Sequence, residues 1–243
     1  MTSRKYYIRL YITVVGNLSL AVTFLLTPPA IAQDNIERGW KEGFTPAFGI
    51  ATSALPENWT FESKLGTTPA VFSIETDAGK GFSYLHMEAD RASGSLLTLV
   101  ENVDMQKTPI LRWRWRVIVL PEGADGRIRE KDDQAIGIYV GTGSLLKNRS
   151  VSYRWDTETP KGAQGTCAYG LGTIEIKWYT IRNKEDAKSG QWHTEERNIA
   201  EDFYTAWGFY PDEVYVSVSC NSQYTLSRSV ADLDGIEFIS HTQ

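Results

Sequence analysis

Residues 110–120 read ILRWRWRVIVL. Leu111, Trp113, Trp115 and Val117 alternate with Arg112, Arg114 and Arg116. A period of two marks a strand, because successive side chains leave a pleated backbone on opposite faces. One face is bulky and apolar, which predicts a core anchor. The other carries three guanidinium groups, nearest neighbours roughly 7 Å apart along the strand. Like charges that close repel, so something must satisfy them: cross-strand acids, carbonyls, water or an anionic ligand. Two explanations compete. Arg112, Arg114 and Arg116 could present forked donors to the carboxylates or sulfates of an acidic polysaccharide. They could equally be paired to acids of their own sheet, such as Glu175.

Working outward, the same alternation recurs. In 150–155, Val151, Tyr153 and Trp155 oppose Ser152 and Arg154; in 174–181, Ile174, Ile176, Trp178 and Thr180 oppose Glu175, Lys177, Tyr179 and Ile181. Segments 70–76 and 82–89 alternate similarly, and 96–100, 135–140, 214–218 and 236–239 are compact apolar runs. Residues 56–61 and 192–197 add shorter strands. Segment 199–209 predicts one short helix, 35–47 a brief helix or ordered arm, and 157–172 a polar, glycine-rich loop. About ten short strands between turn signals, without alternating helices, predict an all-β sandwich.

The N-terminus reads as a secretory prepeptide. Arg4, Lys5 and Arg9 precede a mostly apolar run, and Ala30-Ile31-Ala32 offers small residues before a cleavage point. A transmembrane anchor is the alternative, but the run is near the lower length limit for a span and is broken at Gly16 and Asn17. Cleavage after Ala32 would leave 33–243 as a single domain. Three of the 25 basic residues and none of the 30 acidic ones fall in the prepeptide, so 22 positive charges face 30 negative ones, a net of −8. Such a balance argues against nucleic acid and anionic membranes as partners. It predicts a periplasmic or secreted protein with no membrane span after cleavage; nothing in the pattern sets an oligomeric state. The only cysteines, Cys167 and Cys220, predict one disulfide in an exported chain, worth about 3–4 kcal/mol. Two cysteines do not compose a metal site.

Eight tryptophans and twelve tyrosines are many for this length, and the surplus beyond the core could line a sugar-binding groove. Arg154 sits between Tyr153 and Trp155, which point with Val151 into the core. Tyr179, sharing its face with Glu175 and Lys177, is the aromatic placed to be exposed. Asp132 and Asp133 precede a strand and follow Asp125 and Glu130. They suit a turn, a pairing with Arg112 or Arg114, or oxygen ligation of calcium, although the EF-hand spacing is lacking. No spacing picks a catalytic base among His86, His193 and His241, and no nucleotide or nucleophile-elbow motif occurs. No cofactor or metal is predicted.

The segments SYLHMEADRASGSLL (83–97), PILRWRWRV (109–117), PEGAD (121–125), DDQAIGIYV (132–140), SVSYRW (150–155), FYTAWGFYP (203–211), VYVSVSC (214–220) and DLDGIEFI (232–239) together resemble a family of exported bacterial proteins of unknown function, DUF3047. The resemblance implies a jelly-roll β-sandwich of two antiparallel sheets with short peripheral helices, similar in shape to galactose-binding-like carbohydrate modules. A fold transfers more safely than an activity. Cys220 departs from the acidic character the family shows at 219–223, so no ion role carries over there. The expected function is non-catalytic binding of a glycan or other polar cell-envelope ligand, through Arg112, Arg114, Arg116, Arg154, Glu175 and Tyr179. Alternatives are a polysaccharide lyase or glycoside hydrolase, and a structural envelope protein engaging a protein partner.

Overall fold

The computed structural model describes residues 36–45, 55–64, 66–144 and 147–241 of the chain. The expected prepeptide, 1–32, lies outside the described residues. The Trp/Arg stretch is strand β7 (Ile110–Val119), next to the edge of a six-stranded sheet. That sheet runs β12 (His193–Asn198), β7, β14 (Arg228–Ile239), β5 (Phe82–Asp90), β4 (Val71–Asp77), with β1 (Arg38–Glu42) on the C-terminal end of β14. The facing sheet has eight strands: β10 (Gln164–Tyr169), β11 (Ile174–Arg182), β9 (Lys147–Trp155), β8 (Ile136–Ser144), β13 (Val214–Asn221), β6 (Ala92–Val100), β2 (Thr60–Glu62), with β3 (Thr68–Pro69) on β6. The fold is a jelly-roll β-sandwich, with one short α-helix among the described residues, α1 (Ile199–Trp207). Asn198 caps α1 by accepting from the Glu201 amide at 3.1 Å, and Gly208, at φ 76°, ends it.

Alternation places the core. Leu111, Trp113, Trp115 and Val117 of β7 face Val151, Tyr153 and Trp155 of β9 across the sandwich, all buried. The Trp113 ring stacks on Tyr153 at 5.3 Å, and Trp115 meets Trp155 edge-on at 5.5 Å. These rings join the two sheets, each burying a large apolar area.

Three local expectations change. Segment 35–47 contains β1 rather than a helix: Arg38, Lys41 and Glu42 pair with Ile239, Glu237 and Ile236. The glycine-rich stretch contains β10, an edge strand. Pairing is antiparallel throughout except for β11 on β9 and β3 on β6, which are parallel. From β9 the chain passes outward to β10 and then returns into the slot between them as β11, so β11 runs with β9.

Candidate binding cleft

Because Val151, Tyr153 and Trp155 point inward, Ser150, Ser152 and Arg154 point out of the eight-stranded sheet. Strand register extends that face in rows. Trp178, Ser152, Tyr139, Ser217 and Leu97 stand side by side across five strands. Arg154 lies one row away, in line with Ser219 and Ser95 through Gly137. The glycines make room for rings. A side chain on Gly141 would run into Tyr215, and one on Gly165 into Trp178, so these aromatics can lie over the sheet. The result is a cleft of about 460 Å³, lined from Cys167 and Tyr169 of β10 to Glu62 of β2. Tyr169 and Tyr224 are its solvent-exposed rings.

The tripeptide Asp132-Asp133-Gln134, just before β8, organises the polar groups. Arg154 pairs with Asp132, and its Nε lies 3.3 Å from Asp156 Oδ1. Tyr169 donates to Asp132 Oδ2 at 3.2 Å, and Gln134 Nε2 to Asp132 Oδ1 at 2.9 Å. Asn221 Nδ2 in turn donates to Gln134 Oε1 at 3.2 Å. Asp133 accepts from the Tyr224 and Thr225 amides at 3.2 and 2.7 Å and from the Thr225 hydroxyl at 2.8 Å, which fixes the loop bearing Tyr224. Lys64 donates to the Tyr224 hydroxyl at 2.8 Å.

Burial opposes the Arg154 charge, but Asp156 and Asp132 outweigh it and hold the guanidinium protonated. Its face also lies over the Trp178 ring, 5.1 Å away. Burial, then the Asp132 charge, raises the Tyr169 pKa; burial likewise raises those of Tyr139 and Cys167. These groups stay neutral near pH 7. Five buried polar atoms of the lining make no hydrogen bond among the described residues: Ser152 Oγ, Ser219 Oγ, Asn221 Oδ1, Gln223 Oε1 and Arg154 Nε, the last of which faces Asp156. Among the described residues, no group of three His, Cys, Asp or Glu side chains converges as a metal centre would.

The residues singled out from the sequence fall in three places. Arg112, Arg114 and Arg116 lie on the outer face of the six-stranded sheet, each with acids beside it. Arg112 Nε is 2.6 Å from Glu196, Arg116 Nε is 2.6 Å from Asp232, and Arg114 pairs with Asp234. The acids come from β12 and β14, not from Glu175. Phe82, Tyr84 and Trp192 frame Arg114 and Arg116. Arg112 and Arg114 border a second cleft of about 500 Å³, together with Lys41, Phe82, Asp234 and Glu237. Arg154 alone of the six reaches the first cleft. Glu175 and Tyr179 occupy the other side of β11: Glu175 pairs with Arg149 at 3.1 Å, and Tyr179 stacks on Tyr153 at 6.0 Å beneath Arg197. Ile174, Ile176 and Trp178 line the cleft instead.

The predicted disulfide does not form. Cys220 is buried on the core side of β13, its Sγ 3.2 Å from Ser229 Oγ, whereas Cys167 lines the cleft. Side chains on opposite faces of one sheet, four strands apart, cannot meet.

Residues 57–237 match the family described as protein of unknown function (DUF3047). No curated protein matches the chain. Among solved structures, the chain is similar to a family 11 carbohydrate-binding module from Clostridium thermocellum in complex with a β-1,3-1,4-mixed-linked tetrasaccharide. That match has 10% identity, covers 80% of this chain and 95% of the module, and has a TM-score of 0.39. It is also similar to the ENZbleach xylanase, with 11% identity, 87% of this chain and 91% of that one covered, and a TM-score of 0.38. Among the described residues, no helix is long and apolar enough to cross a membrane.

Proposed function

The chain belongs to the DUF3047 family of proteins of unknown function, and we propose that its cleft binds a glycan or a similar hydroxyl-rich ligand of the cell envelope without transforming it. The observation that supports this reading is the lining itself. Hydroxyl and amide groups, four of which carry an oxygen with no partner among the described residues, sit between the exposed rings of Tyr169 and Tyr224. Convergent polar groups orient a sugar, and aromatic rings cover its C–H faces. Export, by way of the 1–32 prepeptide, would place the protein where such ligands occur.

A lyase or hydrolase is the second reading, because Arg154 and Tyr169 meet at Asp132. The electrostatics favour binding. A lyase needs a free cation to neutralise a uronate and a base able to take a proton. Here Arg154 already faces two carboxylates, and the Tyr169 pKa is raised, which opposes a tyrosinate.

The test is a glycan array probed with the wild type, Tyr169→Ala and Tyr224→Ala. The expected result is retention of at least one glycan, weakened roughly tenfold in each variant, a loss of about 1.4 kcal/mol. Retention that neither variant changes, or no retention of any glycan, would overturn the assignment. Release of an unsaturated or reducing product would favour the enzyme instead.

A further inference from the structure

We propose that the ligand of this cleft is an uncharged polysaccharide, recognised through its hydroxyls, and that acidic polymers are excluded. The inference rests on the cleft reading above and narrows it.

Charge in the lining is balanced. Glu62 and Asp132 oppose Lys64 and Arg154. Arg154 is not free for an anion, because Asp132 holds it beside the buried Asp156; Lys64 stands at the exposed rim, donating to the neutral Tyr224 hydroxyl and lying over its ring. A sulfate or uronate brought against this floor would meet the Asp132 carboxylate and would have to break the Arg154 pair. In a partly desolvated groove, breaking such a pair leaves the Arg154 charge uncompensated, which is strongly unfavourable. No anion contact in the open rim offsets that.

The unpartnered atoms point the same way. Asn221 Oδ1 and Gln223 Oε1 only accept, so their complement is a donor. Ser152 Oγ both donates and accepts. A carboxylate or sulfate oxygen offers no donor to an amide oxygen, whereas a sugar hydroxyl serves both kinds of atom, so these positions take hydroxyls and it is the charged groups of an acidic polymer that the Asp132 carboxylate turns away. Ser95 and Ser217 extend the hydroxyl-bearing strip across β6 and β13.

The opposite sheet explains why basic residues mislead here. The arginine row is the more cationic feature of the sequence, but its charges are matched by Glu196, Asp232 and Asp234. Acidic polymers therefore find no unmatched cationic row on that face either.

Affinity electrophoresis decides the matter. The chain is run through gels containing soluble neutral polymers (hydroxyethyl cellulose, galactomannan, dextran) or acidic ones (alginate, polygalacturonate, hyaluronate). Tyr169→Ala and Tyr224→Ala run beside it, each checked for an unchanged circular dichroism spectrum. The expected outcome is retardation by a neutral polymer only, reduced in both variants. The affinity should change less than about twofold between roughly 0.05 and 0.5 M salt, because no net charge is exchanged. Retardation by acidic polymers alone, lost in the two variants, would overturn the neutral class while leaving the cleft as the site. Retardation by any polymer that is indifferent to both variants, or none at all, would overturn the class and the site together.

Discussion

At the scale of single residues, the geometry assigns partners that alternation left open. His86 is an example: its Nδ1 lies 2.7 Å from Oδ1 of the fully buried Asp232, which also takes the Arg116 guanidinium. The hydrogen bond to Asp232 raises the His86 pKa above 6.5 against the opposing effect of burial, with Glu75 and Glu88 adding to the rise. A histidine whose folded pKa is raised contributes stability that is fully present below its unfolded value. That contribution is lost as the pH climbs through the folded value. Melting temperature should therefore fall as pH rises from about 6.5 upward, and His86→Gln should flatten that fall. An unchanged slope in the variant would refute the linkage. His193 acts in the other direction and on the acid side. Burial and then Arg182 lower its pKa, so its contribution is lost as pH drops below 6.5. The two histidines can be separated by window as well as by mutation.

At the scale of elements, strands with strong alternation were legible and weak ones were not. β7, β9 and β11 declare two faces in their sequences. β10, with Gln164, Gly165 and Ala168, has little β propensity, and its place is set by β11 and by the Trp178 ring over Gly165. β1 is five residues long and depends on its pairing with β14. Asp132-Asp133 is recognisable in the sequence as a polar entry to β8, but its partners are not, because they come from β9, β10 and the loop after β13. Asp133 is the test of that organising role. Asp133→Ala would leave the Tyr224 amide, the Thr225 amide and the Thr225 hydroxyl without their acceptor. The expected cost is about 1–3 kcal/mol, with faster hydrogen exchange at the Tyr224 and Thr225 amides and, under the proposed binding role, weaker retention by a glycan. Unchanged protection of those two amides would show that the loop is held by something else.

At the scale of the whole molecule, the two sheets meet through rings, so the apolar and charged faces of β7 should differ sharply in energy. Trp113→Ala would empty the contact with Trp115 and Tyr153 and should destabilise the protein by about 3–5 kcal/mol. Arg112→Ala removes a partly exposed pair and should cost about 0.2–1 kcal/mol. Urea unfolding of both variants checks this, and comparable losses would contradict the layered account. Trp113 also backs Tyr153, the inward neighbour of Ser152 and Arg154, so its loss should loosen the cleft from behind. Local alternation was enough to determine the all-β class, the core role of Trp113, Trp115, Tyr153 and Trp155, and the existence of a polar face on β7 and β9. It could not say which face of β11 turns outward, because a period of two separates the faces without ranking them. Tyr179 consequently belongs under Arg197, and Trp178 in the cleft. Ion-pair partners were equally out of reach: Arg116 and Asp232 are 116 residues apart, and strand register alone brings them to 2.6 Å. Distance along the chain says nothing of sheet order, and it is sheet order that neutralised the arginine row, separated Cys167 from Cys220 and gathered the cleft on the opposite sheet.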